Sequence, residues 1–78
     1  MREEIMAMLT ELRPEFDFAN SDDFVADGLL DSFDIISLSS MLEEAYSIMI
    51  DGLDILPENY SSIDALIALV RKSGGKTE

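Results

Sequence analysis

The chain of 78 residues, 47% of them hydrophobic, is long enough to bury one small core and too short to bury two. Its formal net charge of -12 makes nucleic acid a poor partner, because phosphate groups require a basic surface. The sequence contains no cysteine and no histidine, which excludes disulfides, thiolate or imidazole metal ligands, and a serine nucleophile activated by histidine.

The first predicted element is an amphipathic helix that includes Ile5 and Leu9, which lie one turn apart on its apolar face. Pro14 should end this helix near Arg13, because proline disfavours a helical conformation in the residue before it. From residue 15 to residue 30 the helical period disappears and turn-forming residues accumulate. We therefore predict a long loop, held to the core by its phenylalanines, and connections of this length are often functional.

The second helix is predicted to begin at Asp31 or Ser32, since either side chain can accept a hydrogen bond from a backbone amide of the first turn. Asp34 adds negative charge where the helix dipole favours it. Apolar residues at near-heptad spacing predict one buried face, formed by Ile35, Leu38, Leu42, Ala45 and Met49.

Two further elements complete the predicted fold. Turn-forming residues leave room for only a short helical turn over residues 54–60, and a last apolar stripe runs from Ile63 to Val70 before Ser73 stops it. No segment shows sustained β-alternation. The sequence therefore predicts an all-α protein, a small four-helix bundle of three main helices and one short helix.

The same patterns predict the domain limits and the compartment. Residues 1–73 are expected to form a single domain, and residues 74–78 a flexible C-terminal tail. No apolar run approaches the ~20 residues of a membrane span. We therefore expect a cytoplasmic protein without membrane insertion.

The acids around the start of the second helix are candidate calcium ligands. Residues at five places of an EF-hand-like loop match that pattern: Asp23, Asp27, Gly28, Asp31 and Asp34. Val25 lies where an oxygen ligand belongs, and Asp34 is shorter than the usual bidentate glutamate. A calcium-binding module is therefore only the third interpretation, and no metal site is assigned.

Ser32 is the candidate functional residue. A hydroxyl at a helix N-terminus lies beside backbone N–H groups and the positive end of the helix dipole, an environment that tolerates a phosphate group. Helix capping is the alternative use, and the commoner one for an isolated Asp-Ser pair. Because the chain offers no histidine to activate Ser32, we expect the protein not to be an enzyme.

The segment 28–34, Gly-Leu-Leu-Asp-Ser-Phe-Asp, opens a helix that continues to two glutamates, Glu43 and Glu44. This pattern resembles the attachment motif of acyl carrier proteins and of the related peptidyl and D-alanyl carriers. The resemblance implies that a phosphopantetheinyl transferase attaches 4'-phosphopantetheine, taken from coenzyme A, to Ser32 with the assistance of Asp31. The chain would then hold acyl intermediates as thioesters on the arm for fatty-acid or polyketide-type biosynthesis.

The resemblance also implies that the second helix is the recognition element. Phe33 and Ile36 would offer apolar contacts beside the attachment point, with core packing as the alternative for each. Asp34, Glu43 and Glu44 would supply negative charge. The implied partners are the transferase, an acyl- or aminoacyl-loading ligase, and synthase or acyltransferase enzymes with basic docking surfaces. A shuttle that visits several enzymes is expected to be a monomer.

Two other functions stay open. Fatty-acid carriers most often have leucine after the serine, whereas this chain has Phe33, which is compatible with an aminoacyl or D-alanyl-type carrier loaded by an adenylating ligase. An alternative of another class is an unmodified acidic adaptor that binds basic proteins. In that protein Ser32 would serve only as a helix cap.

Overall fold

The computed structural model describes residues 1–74. Its three α-helices are α1 (Arg2–Leu12), α2 (Ser32–Tyr46) and α3 (Ile63–Lys72), and its three 3₁₀ helices are Phe18–Asn20, Gly52–Asp54 and Pro57–Tyr60. Between residues 1 and 74 there is no β-strand, so the all-α prediction is confirmed. No helix of that region is both long enough and apolar enough to cross a bilayer. The predicted tail lies, from residue 75 onward, outside the described residues.

The ends of the helices follow from local side-chain chemistry. The amide of Arg13 donates to the carbonyl of Leu9 at 2.9 Å, and Pro14 then prevents α1 from continuing, as predicted. The hydroxyl of Ser62 accepts a hydrogen bond from the amide of Ala65 at 3.1 Å and so caps the start of α3. Each of these ends is therefore specified within a few residues of the chain.

The segment between α1 and α2, which we call the α1–α2 loop, is ordered and reaches the start of α3. Phe18 and Phe24 are buried and pack edge to face, with ring centroids 5.1 Å apart. The amide of Phe24 donates to the carbonyl of Ser61 at 2.8 Å, and that of Leu29 donates to Phe24 at 2.8 Å. Gly28 adopts a φ of +79°, a left-handed conformation that other residues rarely take, and so turns the chain toward α2.

All three α-helices and the α1–α2 loop contribute to the core. Its largest fully buried side chains are Ile5, Leu9, Phe24, Leu38, Leu42, Tyr60, Leu66 and Val70. One polar pair lies among them, because the hydroxyls of Ser39 and Tyr60 approach to 2.5 Å. The core therefore joins α2 to the 3₁₀ helix Pro57–Tyr60 by a hydrogen bond as well as by apolar contact.

One prediction about the middle of the chain was wrong. Ala45 and Met49 are exposed. Met49 leaves the predicted face because α2 ends at Tyr46 and Ser47 adopts a left-handed conformation with a φ of 53° that redirects the chain. Ile50 is buried in their place. The short helical turn predicted over residues 54–60 corresponds to the 3₁₀ helix Pro57–Tyr60, and a separate 3₁₀ helix, Gly52–Asp54, precedes it.

Two ion pairs connect α3 to elements that are distant in sequence. Arg2 on α1 bonds to Asp64 on α3, and Lys72 on α3 bonds to Asp54 at 2.8 Å. The hydrogen bond to Asp54 raises the pKa of Lys72 above its ordinary value. Arg2 and Lys72 therefore tie α3 to other elements of the fold.

Leu42 and Met49, which the heptad spacing places on one face, differ in burial and so give a direct test of the core. Leu42→Ala should lower the free energy of unfolding by about 2–5 kcal/mol, because it removes a fully buried side chain. Met49→Ala should change it by no more than about 0.5 kcal/mol, since Met49 is 83% exposed. Denaturant unfolding of both variants measures the difference, and similar losses would contradict this burial.

Candidate functional site

The start of α2 is closed by two reciprocal hydrogen bonds, the arrangement known as a capping box. Asp31 Oδ1 accepts a bond from the amide of Asp34 at 2.8 Å, and Asp34 Oδ2 accepts one from the amide of Asp31 at 3.2 Å. The first of these bonds, together with the nearby guanidinium of Arg13, lowers the pKa of Asp31. Asp31 is therefore the capping residue, which decides between the two candidates that the sequence left open.

Ser32 lies between the two acids as the first residue of the helix. Its side chain is exposed and takes no part in the capping box. The hydroxyl lies at the N-terminal end of a helix of 15 residues, where the partial positive charge of the helix favours an anion. The local fold therefore has no structural use for the Ser32 oxygen, which stays accessible from solvent.

Arg13, at the end of α1, joins the same site. Its Nε lies 2.9 Å from Asp34 Oδ2, and its Nη2 lies 3.5 Å from Asp31 Oδ2. The hydrogen bond to Asp34 raises the pKa of Arg13 above its ordinary value. The guanidinium thus bridges the two acids that flank Ser32.

Asp34 does not lie where its predicted role in partner recognition requires. The residue is only 3% exposed, because it forms both the capping box and the ion pair with Arg13. Its charge is therefore compensated inside the protein. A partner surface cannot reach this carboxylate without opening the first turn of α2, so the burial of Asp34 argues against its predicted role in partner recognition.

An apolar surface lies directly beside Ser32. Phe33 is 73% exposed and Ile36 is 60% exposed, so the alternative of core packing is excluded for both residues. In an α-helix, residues three or four positions apart are neighbours on the surface, which places Ile36 next to both Phe33 and Ser32. We call these two residues the α2 apolar patch.

The two glutamates near the end of α2 differ in their surroundings. Glu44 is exposed and can meet a partner. Glu43 is half-buried, and its Oε2 accepts a hydrogen bond from the amide of Ile50 at 2.9 Å. Glu43 therefore fixes the chain segment that follows α2, so its carboxylate is less accessible to a partner than that of Glu44.

Sequence reasoning missed several features near this site. The contact between Arg13 and the start of α2 joins residues 21 positions apart, and its one signal was that Arg13 is the last basic residue before a long acidic region. Further large apolar side chains are exposed after α2, namely Met49, Leu53 and Leu56. Their signal was the turn-forming Asp51 and Gly52 beside them.

The acids at EF-hand-like spacing are engaged separately. Asp23 Oδ1 accepts bonds from the amides of Val25 and Ala26, each at 3.0 Å, and Asp27 Oδ2 accepts one from the hydroxyl of Ser21 at 2.6 Å. Within residues 1–74, no three histidine, cysteine or acidic side chains are grouped so that they could hold a metal ion. Their spacing in sequence therefore does not become a shared set of ligands in space.

Two open surface depressions lie elsewhere on the protein. One, of about 380 Å³, lies between the α1–α2 loop and the 3₁₀ helix that begins at Pro57. The other, of about 350 Å³, lies where the α1–α2 loop meets α1 and the start of α3. Neither of these two is lined by Ser32.

No protein-family model, curated protein or solved structure matches this chain.

The capping assignment predicts different effects for two neighbouring substitutions. Asp31→Ala should lower the free energy of unfolding at neutral pH, because it removes the acceptor of the Asp34 amide. Ser32→Ala should change it by no more than about 0.5 kcal/mol, since Ser32 is exposed and outside the cap. Thermal unfolding of the two variants measures the difference, and a larger loss for Ser32→Ala would contradict the assignment.

The pH dependence of the Asp31 effect has a defined sign. The pKa of Asp31 is lower in the folded protein than its ordinary value of 3.8, so its ionised form stabilises the fold above that value. The contribution is lost as the pH falls through the lowered pKa. The difference in stability between the wild type and Asp31→Ala should therefore shrink below pH 3.8, and a difference that grows there would contradict this cause.

Proposed function

We propose that this protein is a carrier of the acyl carrier protein kind, in which Ser32 bears a 4'-phosphopantetheine arm whose thiol holds acyl intermediates as thioesters. The observation that supports this function best is that Asp31 caps α2 and leaves the adjacent Ser32 hydroxyl exposed at the positive end of the helix. The motif over residues 28–34 supplies the second reason. The proposal includes an acyl-carrier-like four-helix bundle, in which the 3₁₀ helix Pro57–Tyr60 takes the place of the short fourth helix.

In the attachment step, the Ser32 oxygen forms a bond to the phosphorus of coenzyme A that bears pantetheine. The bond from that phosphorus to 3',5'-ADP breaks, and the hydroxyl proton leaves to a base of the transferase. The chain contributes an accessible oxygen and a helix end that favours the charge of the resulting phosphodiester. The chain is thus the substrate of the transferase and performs no catalysis of its own.

The exposed surface of α2 supports a docking role in this proposal. The α2 apolar patch lies beside the attachment residue, and Glu44 adds an exposed negative charge farther along the helix. A basic partner surface with an apolar centre would complement these groups. The transferase, a loading ligase and synthase or acyltransferase enzymes would use this surface in turn, with brief contacts by a monomeric carrier.

The packing beneath α2 favours small cargo as a second candidate. Leu38, Leu42 and Leu66 are fully buried, and the Ser39–Tyr60 hydrogen bond joins α2 to the neighbouring 3₁₀ helix. A long acyl chain could enter this core only by separating these groups, whereas a small aminoacyl group could stay outside. The packed core therefore supports, as the second candidate, an aminoacyl or D-alanyl-type carrier loaded by an adenylating ligase.

The proposed modification predicts a change in intact mass. Incubation of the purified protein with coenzyme A, magnesium and a broad-specificity phosphopantetheinyl transferase should add one phosphopantetheinyl unit. Ser32→Ala should prevent the addition, while Ser40→Ala, at another exposed serine of α2, should leave it unchanged. A folded wild-type protein that stays unmodified with several transferases would favour the acidic adaptor instead.

The proposed docking face predicts a loss of partner binding without a loss of stability. Ile36→Ser should raise the KM of the transferase for the carrier, because it removes a 60% exposed apolar contact beside Ser32.

Glu44→Lys should raise KM more at low salt than at high salt, since exposed charges act over a distance that salt shortens. Glu3→Lys, an equal charge change in the first turn of α1, is the matched control. Equal effects of both lysine variants would indicate only the overall charge.

A further inference from the structure

Arg13 has a backbone that is held on both sides. Its amide donates to Leu9 at the end of α1, and its carbonyl accepts a bond from the amide of Phe16 at 3.3 Å. Pro14, directly after it, restricts the chain further. The side chain of Arg13 therefore extends from a fixed point, as a residue that positions other groups must.

The guanidinium of Arg13 meets three carboxylates. Besides its contacts with Asp34 and Asp31, its Nη1 lies 3.5 Å from Glu15 Oε2. Among these acids Asp34 is the buried one, with a side chain 5% exposed, and its contact with Arg13 is the shortest, at 2.9 Å. A buried carboxylate is costly without a partner of opposite charge, so Asp34 depends on Arg13 most strongly.

We propose that Arg13 is a positioning residue for the modification of Ser32, because it compensates the buried Asp34 and thereby keeps the capping box around Ser32 closed. This inference rests on the proposed function, since it concerns the reaction at the same hydroxyl. Arg13 acts through the two acids and touches neither the oxygen nor the incoming phosphate. The orientation of Ser32 is then set by α1 as well as by α2.

The loss of Arg13 has a specific structural consequence. In Arg13→Gln the carboxylate of Asp34 is left without its cation and would turn toward water, which breaks its bond to the amide of Asp31. The first turn of α2 then frays, and the Ser32 oxygen samples many orientations. A reacting atom that is poorly oriented lowers the rate of group transfer.

The test uses substitutions at both ends of the ion pair. Modification by the transferase is followed by intact mass at a temperature where every variant is folded, and kcat/KM is compared for the wild type, Arg13→Gln, Asp34→Asn and the double variant. Arg13→Gln should lower kcat/KM by on the order of tenfold. Asp34→Asn in the same chain should restore most of that loss, because a neutral amide needs no cation and can still accept the bond from Asp31.

Two controls separate positioning from a general loss of stability. Arg2→Gln breaks the ion pair between α1 and α3, and Ile5→Val shortens a fully buried side chain. Both should leave kcat/KM unchanged under folded conditions. Hydrogen exchange of the Asp34 amide should be faster in Arg13→Gln than in either control, since this amide forms the capping bond to Asp31.

Each outcome has one meaning. If the wild type is modified and Arg13→Gln is modified equally fast, the positioning role is wrong and the carrier function stands. If Asp34→Asn does not restore the loss, Arg13 contacts the transferase directly, and the positioning role is again wrong. If the wild type itself accepts no arm, the carrier function fails and the positioning role fails with it.

Discussion

The reciprocal hydrogen bonds between Asp31 and Asp34 are the constraint on which the candidate site depends. A helix must satisfy its first amides, and in this protein the two acids do so from either side of Ser32. If serine itself were the cap, its oxygen would be engaged with the backbone. The position of Asp31 one residue earlier removes that demand, and the same hydroxyl becomes available for chemistry.

The distribution of charge separates structural from external contacts. Arg2, Arg13 and Lys72 each bond to an acid on a different element of the fold. Exposed pairs of this kind add little stability individually, whereas the pair with the buried Asp34 has a structural consequence. Acids without such partners, including the exposed Glu44, contribute to the negative field around the protein.

The elements that could be predicted from the sequence are those specified by nearby residues. The end of α1 follows from Pro14, and the start of α2 from Asp31 and its neighbours. The left-handed turn at Ser47 could not be predicted, because serine has no preference for that conformation, and the buried face was therefore extended too far. The burial of Asp34 was missed for another reason: it depends on Arg13, which only the folded chain brings near.

The proposed function requires α2 to be both a rigid support and an adaptable surface. These two roles fall on different faces of the helix. Ser39 donates to the carbonyl of Ile35 at 2.7 Å, so Tyr60 must donate the shared hydrogen bond to Ser39. Burial also raises the pKa of Tyr60, so this donor stays protonated to a higher pH than an exposed tyrosine would. The inner face is thus fixed by packing and by a directed hydrogen bond. The α2 apolar patch has no such bonds to break, so in the proposed function it is the face that partners contact while the core keeps its arrangement.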